Sequence, residues 1–224
     1  MKKVIGLLAM MTLMFNAKPV GVSMSYYFPT GGYFASPVAP LAIKDLGLKF
    51  GKYVQLSGSF VLYNIGGMRG DGFGFHVPKP ILGSFLSFNT SANLAILFPY
   101  GNFEWKAYGG PMAFKNFSTK VLESNLESAM IDAGMYETVN TRSNITNKWG
   151  SGFQVGGKIT YFLKKDLGIS ISGTYVKGRS DLGLSGSYDA YDAANGKTSG
   201  EYNYSNSQLI YDGLEFSLGV TITK

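Results

Sequence analysis

The sequence predicts an all-β protein, an up-and-down antiparallel transmembrane β-barrel of eight strands with a short helix in one external loop. The first indication is the segment 214–223, in which five apolar residues alternate with small or polar ones: Leu214, Phe216, Leu218, Val220 and Ile222. Successive side chains of a strand face opposite sides, so this segment has one apolar and one polar face. Several earlier segments repeat the pattern, and a closed barrel in lipid satisfies every strand without a covering layer.

A second indication is the N-terminus, which has the features of a secretory signal. Lys2 and Lys3 precede an apolar stretch, residues 4–15, that is too short to span a bilayer, and Ala17 is a small residue at which cleavage could occur. We therefore predict a signal peptide at 1–17 and an outer-membrane barrel domain at 18–224. The alternative is a short N-terminal helix that stays attached as an anchor.

The spacing of strands gives the barrel a direction. The predicted strands are 21–28, 46–50, 53–63, 81–98, 103–114, 152–163, 167–177 and 214–223. Short turns at Gly51, Pro99 and Lys164 alternate with long loops at 29–45, 64–80, 115–149 and 178–207. Outer-membrane barrels have short periplasmic turns and long external loops, so the short turns mark the expected periplasmic end. Aromatic residues near that end would form a girdle at the lipid interface: Tyr100, Phe103, Trp105 and Tyr161.

One segment of the third long loop departs from the strand pattern. Between 118 and 134, apolar residues recur at helical spacing: Leu122, Leu126, Ala129, Met130 and Ala133. Ser118 can cap the start of a helix and Gly134 its end. We expect a short amphipathic helix that packs against neighbouring loops. The alternatives are that its apolar side covers the barrel mouth, contacts lipopolysaccharide or a partner, or lines an entrance for hydrophobic solutes.

Strand parity assigns each side chain to lipid or to the lumen. The lipid face is predicted to include Leu82, Leu86, Phe88, Ile96, Val155, Ile159, Phe216 and Leu218. The lumen is predicted to hold a polar network of Lys49, Glu104, Lys106, Lys158 and Glu215, with Gln55, Asn89, Asn93 and Gln154 beside it. Because unpaired buried lysines are costly, the two glutamates should pair with some of the three lysines. The alternative is a narrow pore or a small anionic ligand site.

Enzymatic and nucleic-acid functions are poorly supported. The chain has no cysteine, which excludes disulfides and thiolate metal sites, and its single histidine, His76, lies in a predicted loop beside Val77. Gly70-x-Gly72-x-Gly74 has no βαβ context and is interpreted as a flexible loop. The formal net charge is +6, and loss of Lys2 and Lys3 with the leader would lower it to +4. We therefore expect no enzyme activity, no cofactor, no metal site and no nucleic-acid partner.

These features resemble the small eight-stranded bacterial outer-membrane proteins of the OmpA, OmpX and OmpW type. Tyr211-x-Gly213-x-x-Phe216-x-Leu218 is similar to their assembly signal, and residues 98–103 are similar to a hairpin of the OmpW-like group. The resemblance implies the bacterial outer membrane, with lipid and lipopolysaccharide as surroundings and the barrel assembly machinery as a partner during insertion.

Three functions are compatible with these features. The first is a structural or surface-interaction role through the long external loops, which would bind an external protein. The second, implied by the OmpW resemblance, is a narrow channel or transporter for small hydrophobic molecules. The third is a soluble lipocalin-like carrier, which needs an apolar interior and is disfavoured by inward Ser87, Asn89, Ser91 and Asn93.

Overall fold

The computed structural model describes residues 19–30, 38–83 and 85–223. Its elements, in chain order, are β1 (Val20–Pro29), β2 (Val38–Phe50), β3 (Val54–Ile65), β4 (Gly70–Asp71), β5 (Phe85–Tyr100), β6 (Phe103–Phe117), α1 (Glu123–Asp132), β7 (Thr138–Asn144), β8 (Gly150–Lys164), β9 (Leu167–Asp181), β10 (Leu184–Asp192), β11 (Gly196–Tyr204), β12 (Gln208–Ile210) and β13 (Gly213–Ile222). The predicted signal peptide lies outside the described residues.

Eight of these strands close into an antiparallel barrel in the order β1-β2-β3-β5-β6-β8-β9-β13. The closing strand β13 pairs with β9 on one side and with β1 on the other, from Val20 opposite Ile222 to Pro29 opposite Gly213. The predicted fold, strand number and up-and-down order are therefore confirmed. Among the described residues, no helix is long and apolar enough to cross a membrane.

Side chains alternate along the strands between an apolar exterior and a polar lumen. Exposed apolar side chains on the barrel exterior include Leu86, Ile96, Val155, Ile159, Phe216 and Leu218, and Phe88 is partly exposed beside them. Intervening positions are buried and small or polar, as in Ser87, Asn89, Ser91 and Asn93 along β5. The four aromatic residues predicted for a girdle are all exposed near the short turns. This distribution is the reverse of what a soluble carrier requires.

Two predicted strand starts were wrong. β2 begins at Val38, so the second half of the predicted loop 29–45 is barrel wall. β5 begins at Phe85, and Leu82, predicted to face lipid, is completely buried. Its backbone instead bridges Met68 and Val121 outside the barrel. The apolar alternation of β5 begins before the strand does, because apolar residues such as Leu82 belong to the core above the barrel.

The predicted external loops contain further structure. β7, β10 and β11 form a separate three-stranded antiparallel sheet, here called the external sheet, with β10 in the centre. The predicted helix exists but starts at Glu123, not near Ser118, whose φ of +55° is not that of a helix cap. Its first turn has no side-chain cap, whereas Gly134 follows its end with a φ of +70°, where glycine is favoured.

The external part shares one apolar core with the outer end of the barrel. Leu126, Ala129 and Met130 of α1 belong to the same buried cluster as Tyr27 and Tyr63 of the barrel wall. Ile65 at the end of β3 and Leu209 of β12 also belong to this cluster. Loop residues complete it: Met68, Phe73, Val77, Ile81, Leu82 and Leu182. The loops therefore cover the outer mouth of the barrel.

Candidate functional site

The centre of the lumen is organised by a bulge in β2. Pairing between β2 and β3 shifts register between Ile43 and Leu46, and Asp45 has a φ of +61°, which is unusual for a residue other than glycine. A β-bulge re-aims side chains. As a result, the consecutive residues Lys44 and Asp45 both bind partners inside the barrel.

Asp45 binds two lysines across the lumen, and these three residues are here called the Asp45 cluster. Lys106 of β6 and Lys158 of β8 lie directly opposite each other in adjacent strands. The Lys106 ammonium lies 2.5 Å from Asp45 Oδ1, and the Lys158 ammonium pairs with Oδ2. The three side chains are only 4%, 9% and 11% exposed for Lys106, Lys158 and Asp45. Directly opposed like charges are destabilising, so the carboxylate holds together a pair that would otherwise repel.

A second ion pair lies nearer the loop end. Lys44 pairs with Glu215 of β13, and the Tyr63 hydroxyl donates to the other oxygen of the same carboxylate. The Lys44 ammonium also donates to Ser217 Oγ at 2.6 Å, and Ser217 lies 2.8 Å from Ser25 Oγ. Charged groups from β2 and β13 are thus joined inside the barrel with hydrogen-bonding partners on each side.

An aromatic layer closes the lumen above these charges. Its members are Tyr27, Tyr63, Phe114 and Tyr211, all at most 1% exposed. Tyr211 stacks between Tyr27, at 4.9 Å between ring centroids, and Phe114, at 4.5 Å. The Asn89 side chain donates to the Tyr211 hydroxyl at 2.5 Å.

The predicted network residues are distributed over three levels of this lumen, with Lys106 and Lys158 at the centre and Glu215 nearer the loops. Glu104 pairs with Lys49 at 2.8 Å near the short turns, where the Lys49 side chain is 29% exposed. Glu215 pairs with Lys44 and not with one of the three lysines named from the sequence. Sequence reasoning missed both Lys44 and Asp45, since it placed them in a loop.

Little free space remains in the lumen. A lumenal cavity with a volume of about 40 Å³ is lined by residues of both ion-pair groups and by Tyr27, Tyr63 and Tyr211. A cavity of this size holds a few ordered waters. It does not hold an organic solute, since ligand pockets are about 300–1,000 Å³.

The two edges of the external sheet differ. Glu123 of α1 accepts hydrogen bonds from the backbone N–H of Ser143 at 2.7 Å and from its hydroxyl at 2.6 Å. Glu127 accepts from the backbone N–H of Thr141 at 2.7 Å. These carboxylates seal the β7 edge. The β11 edge has no strand partner among the described residues.

Tyrosines pack on the inner face of the external sheet. Tyr136 and Tyr188 lie 5.2 Å apart, and Tyr202 and Tyr204 lie 5.3 Å apart between ring centroids. Burial raises the pKa of Tyr202 and of Tyr204, and burial with a Tyr188 hydrogen bond raises the pKa of Tyr136 to about 12. The hydroxyls of these three residues therefore stay neutral at physiological pH.

The residues of the predicted assembly signal occupy contrasting environments. Tyr211 is buried in the aromatic layer, whereas Phe216 and Leu218 are exposed on the lipid face. A Cβ at Gly213 would clash with the Phe28 carbonyl oxygen. Tyr211 and Gly213 thus have packing roles of their own, and their recognition during insertion stays a prediction.

The structure gathers no recognisable catalytic group around His76 within the described part of the chain. This residue is exposed in the segment between β4 and β5. Among residues 19–30, 38–83 and 85–223, no group of three or more His, Asp or Glu side chains could hold a metal ion.

Comparison with known proteins identifies the fold. No protein-family model and no curated protein sequence matches this chain. Among solved structures, it is similar to the outer membrane protein OprG of Pseudomonas aeruginosa, with a TM-score of 0.52 and 10% identity over 92% of this chain and 94% of that one. It also matches Ail, the attachment invasion locus protein of Yersinia pestis, at TM-score 0.44 and 12% identity, covering 91% and 94%. A major outer membrane protein of Thermus thermophilus matches at 0.41 and 14%, covering 92% and 100%. The fold is that of the small outer-membrane β-barrels, and the exposed apolar side chains of the wall suit lipid surroundings.

Proposed function

We propose that this chain is a barrel with a blocked lumen whose role is to hold the external sheet and its loops at the cell surface for contact with other molecules. The observation that carries the proposal is the Asp45 cluster, which joins opposite walls of the barrel: β2 and β8 are four places apart in the ring of eight. The Lys44–Glu215 pair and the aromatic layer lie above it. A barrel whose lumen is filled in this way serves as a support for the external sheet and its loops.

The β11 edge is the part of the external sheet best suited to binding. In an antiparallel ladder, alternate residues direct their N–H and C=O groups toward the neighbouring strand and away from it. The backbone amides of Thr141 and Ser143 point away from β10, toward the outer edge of β7. The residues opposite them on β10, Tyr188 and Gly186, therefore direct their backbone N–H and C=O groups toward β11. Residues 197, 199, 201 and 203 of β11 therefore point their backbone groups outward. We infer that an extended segment of an external protein pairs there by strand addition.

Ion retention tests the blocked lumen. Liposomes loaded with K⁺ and carrying the purified, folded protein should keep their contents as well as protein-free liposomes, because a lumen filled by paired side chains has no continuous water path. A general-diffusion porin at the same protein-to-lipid ratio is the positive control. Rapid release by the folded barrel would overturn the support function.

A second function, transport of small hydrophobic molecules, is favoured by a groove on the lipid side of the wall. This apolar groove has a volume of about 620 Å³ and lies over β2, β3, β5 and β6, with Leu56, Phe60, Ala92 and Pro111 in its lining. The β5–β6 register is continuous from Ser91 opposite Met112 to Leu94 opposite Gly109, but the two intervening pairs lack ladder pairing, and Pro111 there has no N–H to donate. The two backbones stay in close contact at Gly110, so an apolar solute would have to part the strands to pass between lumen and membrane.

The wall behind the groove is closed by polar contacts, which is why transport ranks second. Gln154 donates to Ser91 Oγ and to Asn93 Oδ1, both at 2.9 Å. Transport predicts that cells making the protein take up the apolar dye N-phenylnaphthylamine faster than cells without it, and that Ala92→Trp, which fills the groove, abolishes the gain. Equal uptake in all three strains would eliminate this function.

The surroundings of the protein follow from its class. We infer that outer-membrane lipid and lipopolysaccharide contact the apolar exterior and that the barrel assembly machinery inserts the chain. The exposed strand β13, with Phe216 and Leu218 on its lipid face, is the segment we expect that machinery to bind.

A further inference from the structure

A group of basic side chains lies on the outside of the barrel at its loop end, confined to three adjacent strands. Lys177 and Arg179 occupy exposed, outward-facing positions of β9, alternating with buried Val176, Gly178 and Ser180. Lys115 is a partly exposed residue of β6, nearer the loops, whose ammonium donates to the Asn147 carbonyl oxygen, and Lys148 lies two residues before β8. The four basic residues are here called the rim patch.

The rim patch has a net charge of +3 when its one acidic neighbour is included. Asp181 lies 3.2 Å from the Lys148 ammonium, and both side chains are largely exposed. Arg179 makes a single long hydrogen bond, 3.4 Å, to Gln208. Lys177 has no hydrogen-bond or ion-pair partner in the part of the chain that the structure describes. Most of the donors of Lys177 and Arg179 are therefore available to a ligand.

Register brings these cations close together. Arg179 is opposite Ser151 of β8, Ser151 is opposite Ala113 of β6, and Lys177 is one outward position below Arg179. Adjacent strands lie about 4.8 Å apart and outward positions along a strand about 7 Å apart. By the same spacings, Arg179 lies about 7 Å from Lys177 and about 12 Å from Lys115, whereas Lys177 and Lys115 are about 17 Å apart. Lys177 and Arg179 can therefore contact one anionic headgroup, with Lys115 on its loop side.

The position of the patch relative to the apolar belt selects its ligand. Exposed aromatic residues of the same strands border it: Phe117, Trp149, Phe153 and Tyr175. Such residues mark the membrane–water interface. On the loop-end halves of β1, β3, β5 and β13, no described outward-facing side chain is lysine or arginine. The cations therefore lie in one sector, at the depth of lipid headgroups.

We propose that the rim patch binds the phosphorylated headgroup of a lipid in the outer leaflet, with Arg179 and Lys177 as the principal phosphate ligands. Arginine matches phosphate geometry with paired N–H groups, and lysine adds a compact charge. The acyl chains of the same lipid would lie on the apolar wall below, along Val155 and Tyr175. This site depends on the transmembrane placement of the barrel and not on whether its lumen is blocked.

Lipid binding by matched variants tests the site. The folded full-length protein in zwitterionic detergent is titrated with purified lipopolysaccharide that carries its lipid A phosphates, and with the same preparation after enzymatic dephosphorylation. The double variant K177S/R179S should bind the phosphorylated form about thirtyfold more weakly, because each basic residue at an anionic lipid surface contributes about fivefold. The control K52S/K165S removes the same charge at exposed turn residues of the opposite end and should bind like the wild type.

Three results would overturn the proposal. The first is equal weakening in both double variants, which would indicate a net-charge effect. The second is a wild-type protein that binds the dephosphorylated form equally well. The third is displacement of the lipid by millimolar inorganic phosphate, which would indicate a site for a free anion. Heat-modifiable migration of each variant on a gel verifies folding, and K⁺ retention is measured separately, so this site and the blocked lumen succeed or fail independently.

Discussion

Replacing Asp45 by asparagine should destabilise the barrel strongly, although the change is nearly isosteric. The substitution leaves Lys106 and Lys158 opposite each other on adjacent strands without a counter-charge, in a site where both side chains are less than a tenth exposed. Removing one partner of a buried ion pair costs about 3–5 kcal/mol. Because two ammonium groups lose the same carboxylate, we expect the upper part of that range.

A matched control is available in the same lumen. Glu104→Gln breaks the Lys49–Glu104 pair, which lies near the short turns with Lys49 29% exposed. Pairs that water can reach contribute about 0–1 kcal/mol. The two variants therefore remove the same kind of charge at different depths. The difference between their free energies of unfolding measures the effect of burial.

The free energy of unfolding is measured by urea titration of the protein in lipid vesicles, with tryptophan fluorescence as the signal. A rescue variant, D45N/K158M, removes one of the two stranded charges and should recover part of the stability lost in D45N, since Lys106 keeps Gln55 at 3.1 Å as a partner. Equal costs for D45N and E104Q, or a double variant less stable than D45N, would refute this account of the cluster.

Three further changes probe the exterior and the loops. Phe216→Arg should cost about 2–4 kcal/mol of folding free energy in vesicles because it places a charge on the lipid face; tolerance equal to that of Phe216→Leu would contradict this face assignment. Glu123→Ala should speed hydrogen exchange of the Ser143 amide at least about tenfold, since a hydrogen bond to a charged group is lost, and unchanged exchange would show that the β7 edge is covered in another way. Leu126→Ala should destabilise the external part by about 2–5 kcal/mol and expose its loops to limited proteolysis; resistance to proteolysis equal to that of the wild type would contradict the place of Leu126 in the shared core.

Most of the barrel wall could be predicted from the sequence because lipid and lumen impose opposite demands on alternate residues. Strands such as β8 and β13 have a two-residue period that is hard to produce in another way. The external sheet was missed because β7, β10 and β11 are rich in Ser, Thr, Asn and Gly, with no apolar face long enough to stand out from a loop. Its inner face carries several tyrosines, a residue type that is also common in exposed loops.

The centre of the lumen could not be predicted because it depends on a break in the alternation. Strict parity would place either Lys44 or Asp45 in lipid, so alternation gives no reason to extend the strand across both residues. No glycine marks the bulge that directs both side chains inward, because Asp45 itself adopts the left-handed conformation. The only sequence signal was the adjacent opposite charges just before Leu46, Leu48 and Phe50.

Current through single molecules in a planar lipid bilayer tests the blocked lumen most directly. Folded, purified protein inserted at low density should show no steady conductance at moderate voltages, because the Asp45 cluster, the Lys44–Glu215 pair and the aromatic layer fill the lumen around a cavity of about 40 Å³. Steady, stepwise conductance whose ion selectivity changes with Lys106→Glu would contradict the account, since it would require a continuous water path past those side chains.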